Sequence, residues 1–402
     1  MYSNLQLRRC AILMIEPRGR LDLDLGNLLR GGDALRTVPR WIALAPHLDA
    51  EVDVAEDELA PLGRIGDGQW QRFDDLANTE SASVLQRLLD KGLLVGDGAE
   101  HAEVRSRDQK VRDLHWNPVS AVAHVFSRWR DSDVGDDARV PRDRTLTELV
   151  AEYGFPPPHL TERVGVGQRI SLPTPRSSAL GELAKRRVTC RNFDPDAFLE
   201  RQPFADLLRY VFGSHAVTEL MPGVHALKKS HPSGGSLHPL EAYLLIRRVD
   251  GMTSGLYHYH VTDHALEPIA LLAPETAADL AERFVAGQDY LADAPVHVAL
   301  VARFGRTFWK YRNHVKAYRT IVLEAGHVSQ NLYLAATEAG LGAFITAAIN
   351  EVDIERAFGL DPLVESPLAV CGVGARSTTQ DTIEFDPLET VWDSNGQRRS
   401  AD

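Results

Sequence analysis

The most regular pattern in the chain is the run of apolar residues Ile321, Ala325, Val328, Leu332, Ala335 and Ala339. Alternating steps of four and three put them on one stripe of a helix, and the small residues among them suit close packing. The pattern predicts a buried central helix. A second helical stripe, Phe204, Leu207, Leu208 and Val211, is entered by Pro203 and closed by Gly213. Four apolar runs read as strands: 241–248, Gly255–His260, Val296–Arg303 and 366–374. No internal repeat is present, and residues 176–380 read as one α+β domain.

Upstream the elements are shorter. Residues 56–66 predict a brief helix and Asp67–Trp70 a turn. Residues 81–92 predict a helix with Leu85, Leu88 and Leu89 on one face and Gly92 at its stop, followed by a short strand at Leu93–Val95. Helix, turn, helix, strand is the order of a winged-helix-like lobe, assigned to residues 1–98; any small α+β lobe would also fit. Residues 99–175 read as a helical linker region. Within it His115–Trp129 is a packed helix, whereas 131–143 and 153–160 are rich in Pro and Asp and cross the surface. His115 and His124 are expected to be satisfied core residues rather than ligands. Residues 381–402 are expected to be a polar tail.

Bulk composition narrows the function. The 402 residues are 44% hydrophobic, enough for a large core and two or three domains. The formal charge of −12 argues against nucleic acid as the main partner. Three scattered cysteines, Cys10, Cys190 and Cys371, form no CxxC and no zinc-type spacing, so neither a disulfide framework nor a metal site is expected. The N-terminal apolar run is too short for a signal sequence, and no stretch approaches a membrane span. A cytoplasmic protein is expected.

Four short stretches carry candidate chemistry. Residues 185–193 gather Arg186, Arg187, Thr189 and Arg191; planar guanidiniums with a hydroxyl between them suit a phosphate, although a basic run is more often a solvated face. Residues 230–245 contain Pro232, Ser233, Gly234, Gly235 and Ser236, a hydroxyl-rich turn that allows backbone to approach a flat ligand, or simply leads into a strand. The central helix ends at Gly340, and Thr346, Ala347 and Ala348 follow. Gly372 and Gly374 precede Arg376, a possible second phosphate clamp.

In this order the pieces resemble the nitroreductase-like flavin enzymes, and more closely the SagB-type dehydrogenases that oxidise azoline rings in ribosomal peptide natural products. The resemblance covers residues 180–376. It implies a mostly antiparallel sheet flanked by helices, with FMN in a homodimer interface. It implies that Arg187, Thr189 and Arg191 hold the FMN phosphate and ribityl chain, that Arg376, after Gly374, is a second phosphate contact, and that Pro232–Ser236 reach the flavin from the other subunit. Val188 stands where the family often has a further arginine. The backbone of Thr346, Ala347 and Ala348 falls near flavin N5. Lys310 and Tyr311 match the catalytic pair of the SagB-type enzymes, which suits the chemistry: azoline oxidation removes a proton from Cα and a hydride from Cβ, and a positioned base must take the proton. A lysine acts as that base once its pKa is lowered by desolvation or nearby charge; Arg306, Arg312 and Arg319 supply such charge in sequence. The implied partners are a modified precursor peptide and a partner maturation enzyme; the N-terminal lobe would either capture a leader peptide or dock to that enzyme. Two alternatives remain at this stage: an NAD(P)H-dependent flavin reductase of dehydroamino acids, nitro groups or quinones, and a flavin-free leader-peptide-binding scaffold.

Overall fold

A computed structural model describes residues 5–135 and 145–399. The residues at 136–144 of the expected linker region lie outside that range.

The larger unit is built on a six-stranded sheet in the order β11 (Ala265–Leu271), β10 (Gly255–His260), β9 (Leu240–Ile246), β12 (Val296–Arg303), β14 (Glu365–Gly374) and β13 (Gly342–Thr346), every named pair antiparallel. All four expected strands are present within two residues of their expected ends. The β12 run Val296–Ala302 is buried throughout, because helices cover both faces of the sheet. Val296, Val298, Leu300 and Ala302 point into one core with helix Arg201–Val211, the 22-residue helix Ala317–Glu338, and Trp116, Ala121 and Val125. Ala299 and Val301 point into the other, against helices Pro274–Phe284 and Glu351–Phe358.

The N-terminal lobe has a separate core and two small sheets. One is β5 (Gln71–Arg72), β1 (Gln6–Arg9), β6 (Leu94–Gly96); the other is β2 (Met14–Leu23), β3 (Leu35–Leu44), β4 (Glu51–Val54). Helices Glu56–Arg64 and Ala82–Asp90 pack beneath them, the second through Leu85, Leu88 and Leu89. The ten-residue strands β2 and β3 escaped the sequence reading. Most of this hairpin is solvated on both faces, so no alternation marks it, and it carries Pro17 and Pro39.

Residues 99–126 carry helices Ala102–Asp113 and Pro118–Phe126, the second inside the packed helix expected at His115–Trp129: Trp116 is 2% exposed, its indole N–H donates to Leu363 O at 3.0 Å, and its ring packs on Phe304 and Phe308. His124 is buried and satisfied as expected, its ring nitrogens facing Tyr318 Oη at 3.2 Å and Pro362 O at 2.9 Å. Residues 154–176, by contrast, are exposed throughout. The segment expected as a polar tail is docked, with Glu384 and Trp392 buried, because Glu384 supplies the counter-charge for a buried arginine. Among the described residues no helix is long and apolar enough to cross a membrane.

Candidate active site

The Pro232–Ser236 turn and the Lys310–Tyr311 pair meet. Gly235 has φ +68°, a conformation that favours glycine, and a Cβ there would lie 2.8 Å from Tyr311 Oη and 3.0 Å from Lys310 Nζ. A Cβ on Gly234 would strike the Thr320 methyl. Ser233 Oγ donates to Glu324 at 2.5 Å and accepts the His238 N–H at 2.9 Å, so the turn is pinned to the long helix. Pro232 and Ser236 are exposed on its rim. Arg306 anchors the other side, donating to Leu237 O at 2.8 Å. Arg312 turns back to Trp309 O at 3.4 Å. Lys310 lies on the surface of the single chain with no carboxylate partner among the described residues, its Nζ 5.5 Å from the Tyr311 ring centre.

A second group forms around Tyr333. Arg187 stacks over its ring at 5.2 Å, and the Thr189 and Tyr333 hydroxyls are 3.1 Å apart. Tyr333 Oη accepts the Ile345 N–H at 3.2 Å. Arg187 has no acidic partner among the described residues. Ile345 leads to a cavity of about 430 Å³ lined by Ala347, His124, Tyr318, Val322, Gly326 and Glu351, among others. Thr346 Oγ1 accepts the Ala348 N–H at 3.1 Å and a bond from Gln288 Nε2 at 3.1 Å, which fixes the turn and leaves Ala347 exposed. An unpaired guanidinium, two hydroxyls and an adjoining cavity of this size fit the anionic tail and flat ring of FMN.

The two groups occupy different faces of helix Ala317–Glu338. At about 100° per residue, Thr320, Glu324 and Asn331 fall within about 40° of one another, and Tyr318, Val322, Gly326 and Tyr333 cluster roughly opposite. Thr320 and Glu324 meet the glycine-rich turn, and Asn331 bonds Ser230 Oγ at 3.0 Å. Between the two faces runs an exposed stripe containing Arg319, Leu323, His327 and Gln330. Within one chain, therefore, the residues expected to share a pocket are split by the width of a helix.

Three expected residues are engaged by other parts of the protein. Arg376 is 6% exposed; its guanidinium pairs with the Glu384 carboxylate and donates to Val188 O at 2.7 Å. Glu384 also accepts the backbone N–H groups of Arg191 and Asn192 at 2.6 and 3.0 Å and the Trp392 indole N–H at 2.8 Å. The anion that Arg376 meets in this structure is thus the Glu384 carboxylate. Gly374 is accounted for by packing, since a Cβ there would meet Pro295 and Phe193. Arg191 reaches Ile383 O at 3.0 Å and stacks on Tyr290. Val188 is 5% exposed and faces inward.

Tyr333, Glu324 and Glu351 were missed by sequence reasoning, which used the long helix only for its apolar stripe. Polar residues recurring beside such a stripe are the available signal. Burial pushes the Glu351 and Glu355 carboxyls up to about 7, with repulsion from Glu355 adding at Glu351 and from Asp49 and Asp361 at Glu355. Their folded pKa exceeds the unfolded value, so the stability they confer is complete below about pH 4.5 and is lost as pH rises through about 7. Glu351→Gln keeps an acceptor for the Trp129 N–H, which Glu351 now holds at 2.8 Å. This variant should show a flatter stability profile between pH 5.5 and 8.5, with a difference from wild type on the order of 1–3 kcal/mol in urea melts. His124 and His297, each lowered by burial to about 3, act only below about pH 6.5 and cancel in that comparison.

Comparison with known proteins bears on this geometry. The "Nitroreductase family" pattern matches residues 184–375. The trifolitoxin-processing protein TfxB of Rhizobium leguminosarum bv. trifolii is 30% identical over 166 residues, 40% of this chain and 44% of that protein. The microcin B17-processing protein McbC of Escherichia coli is 30% identical over 155 residues, 37% of this chain and 55% of that protein. The matches therefore span about half the length of each relative. A chain of the E. coli microcin synthetase McbBCD complex with truncated pro-MccB17 bound aligns at TM-score 0.47 and 21% identity, covering 66% of this chain and 97% of that one.

Proposed function

Residues 184–375 form a nitroreductase-family domain, and from that premise we propose that the chain is an FMN-dependent oxidoreductase of peptide maturation that dehydrogenates azoline rings to azoles. The observation that carries the proposal is the contact of Lys310 and Tyr311 with the Gly235 turn. It sets a lysine amine and a phenol on the turn that the family directs at its flavin. The similarity to proteins named for trifolitoxin and microcin B17 processing supports a peptide substrate.

Arg187 and Thr189 would hold the phosphate and ribityl chain, with Tyr333 buttressing both, and the cavity beside Ile345 and Ala347 would take the ring. FMN, when bound, supplies the acceptor for the hydride leaving Cβ. Lys310, as the free amine, takes the Cα proton as the ring C=C forms, and Tyr311 orients it. Because Lys310 is exposed in the single chain, its desolvation would come from a second copy. A homodimer packed on the Arg319–Gln330 stripe brings the Lys310 face of one chain against the Arg187 face of the other, completing two sites. A cleft of about 670 Å³, where Arg8 stacks on Trp70 beside Gln109 and Ser106, suits the N-terminal lobe to an extended peptide. The exposed Leu21, Leu23, Leu25, Leu29 and Leu35 around the β2–β3 tip suit it to a partner enzyme.

The test is the purified full chain, its visible spectrum, and anaerobic mixing with an azoline peptide or with NADPH. Flavin is expected at one per chain, falling in Arg187→Met. Bleaching by the azoline peptide and not by NADPH is the expected result. Bleaching only by NADPH makes the enzyme a reductase, and a protein that stays colourless after FMN addition is a peptide-binding scaffold.

A further inference from the structure

Beneath the glycine-rich turn lies a cluster that the proposed reaction does not use. His231, His238 and Glu324 converge there, with side chains 2%, 5% and 1% exposed. Glu324 Oε1 is 3.5 Å from His231 Nε2 and 3.6 Å from His238 Nδ1. Both separations exceed a normal hydrogen bond, and Glu324 Oε1, His238 Nδ1 and both ring nitrogens of His231 lack a hydrogen-bond partner. Buried polar atoms without partners are costly, and here one from each of three residues lies within 4.8 Å of the others.

We infer that His231, His238 and Glu324 form a binding site for a divalent cation of the zinc class. Two imidazoles and one carboxylate are an established donor set for zinc, with a water as fourth ligand. Bonds of about 2.0–2.1 Å at tetrahedral angles give ligand-to-ligand edges of about 3.3–3.4 Å, close to the two measured separations. The third edge lies within 4.8 Å, and the two rings stand nearly perpendicular with centres 5.1 Å apart, so small ring rotations close it. The other carboxylate oxygen, Oε2, already accepts the Ser233 hydroxyl at 2.5 Å, an outer bond that orients the ligand. Lys229, 3% exposed, is a charged group whose field reaches the cluster. The ion would lock the turn through Glu324 and Ser233 and thereby fix the surface on which Lys310 and Tyr311 rest. Sequence spacing hid the site, because the ligands come from a turn and from a helix 86 residues further on (324 − 238).

The test uses the full chain, stripped with a chelator and titrated with Zn²⁺ by calorimetry, alongside elemental analysis of untreated protein. One zinc per chain, a higher melting temperature on zinc addition, and loss of both effects in His238→Ala and Glu324→Gln are expected. His225→Ala, at an exposed histidine of the β8 strand (Val224–Lys228), should bind as wild type does. Far-UV circular dichroism shows whether the two ligand variants fold; if they do not, the wild-type titration alone decides. Stripped wild type that takes up no zinc, or takes it up equally in a folded Glu324→Gln, overturns the inference. None of these readouts depends on flavin or on turnover.

Discussion

Replacing Lys310 with alanine is expected to lower azoline oxidation roughly 10²–10⁴-fold while leaving bound flavin and the melting temperature almost unchanged. The large effect follows from removing the group that takes the Cα proton. The small structural effect follows from exposure: Lys310 has no carboxylate partner among the described residues, and surface substitutions of this kind usually stay within about 0.5 kcal/mol. Tyr311→Phe should cost less, since it removes a hydroxyl that orients the amine. Gly235→Ala provides an independent check. Its methyl group would press on both side chains, and the positive φ adds about 1–2 kcal/mol of strain, so activity should fall along with a modest loss of stability. Full turnover in both Lys310→Ala and Tyr311→Phe would remove the pair from the mechanism.

The second large effect concerns Arg376. Arg376→Met would leave the Glu384 carboxylate buried without its counter-ion, which costs about 3–5 kcal/mol. For a domain of this size that lowers the melting temperature on the order of 10 °C. The double variant Arg376→Met/Glu384→Leu should recover much of the loss, since replacing a buried ion pair by apolar groups is often close to neutral. Thermal melts of the three proteins measure this. A single variant that melts like wild type but is purified without flavin would return Arg376 to the phosphate.

Legibility along the chain followed the range of the forces involved. Strands β9, β10, β12 and β14 could be seen because each is a local apolar run, and the long helix because its stripe repeats every three or four residues. The solvated β2–β3 hairpin could not, since without a buried face no period marks it. Among the site residues, Thr189, the Pro232–Ser236 turn and the Lys310–Tyr311 pair stood out as motifs. Their meeting at Gly235 required the fold.

The sequence by itself determined the sheet strands, the central helix and the residue types available for phosphate, ring and proton, because periodicity and motif spacing are properties of neighbours. Only the tertiary structure decided that Glu384 captures Arg376, that the two halves of the site lie on opposite faces of one helix, and that His231 and His238 meet Glu324. Burial and charge pairing are set by residues distant in sequence, and which acid reaches which base is fixed only when the helices close over the sheet.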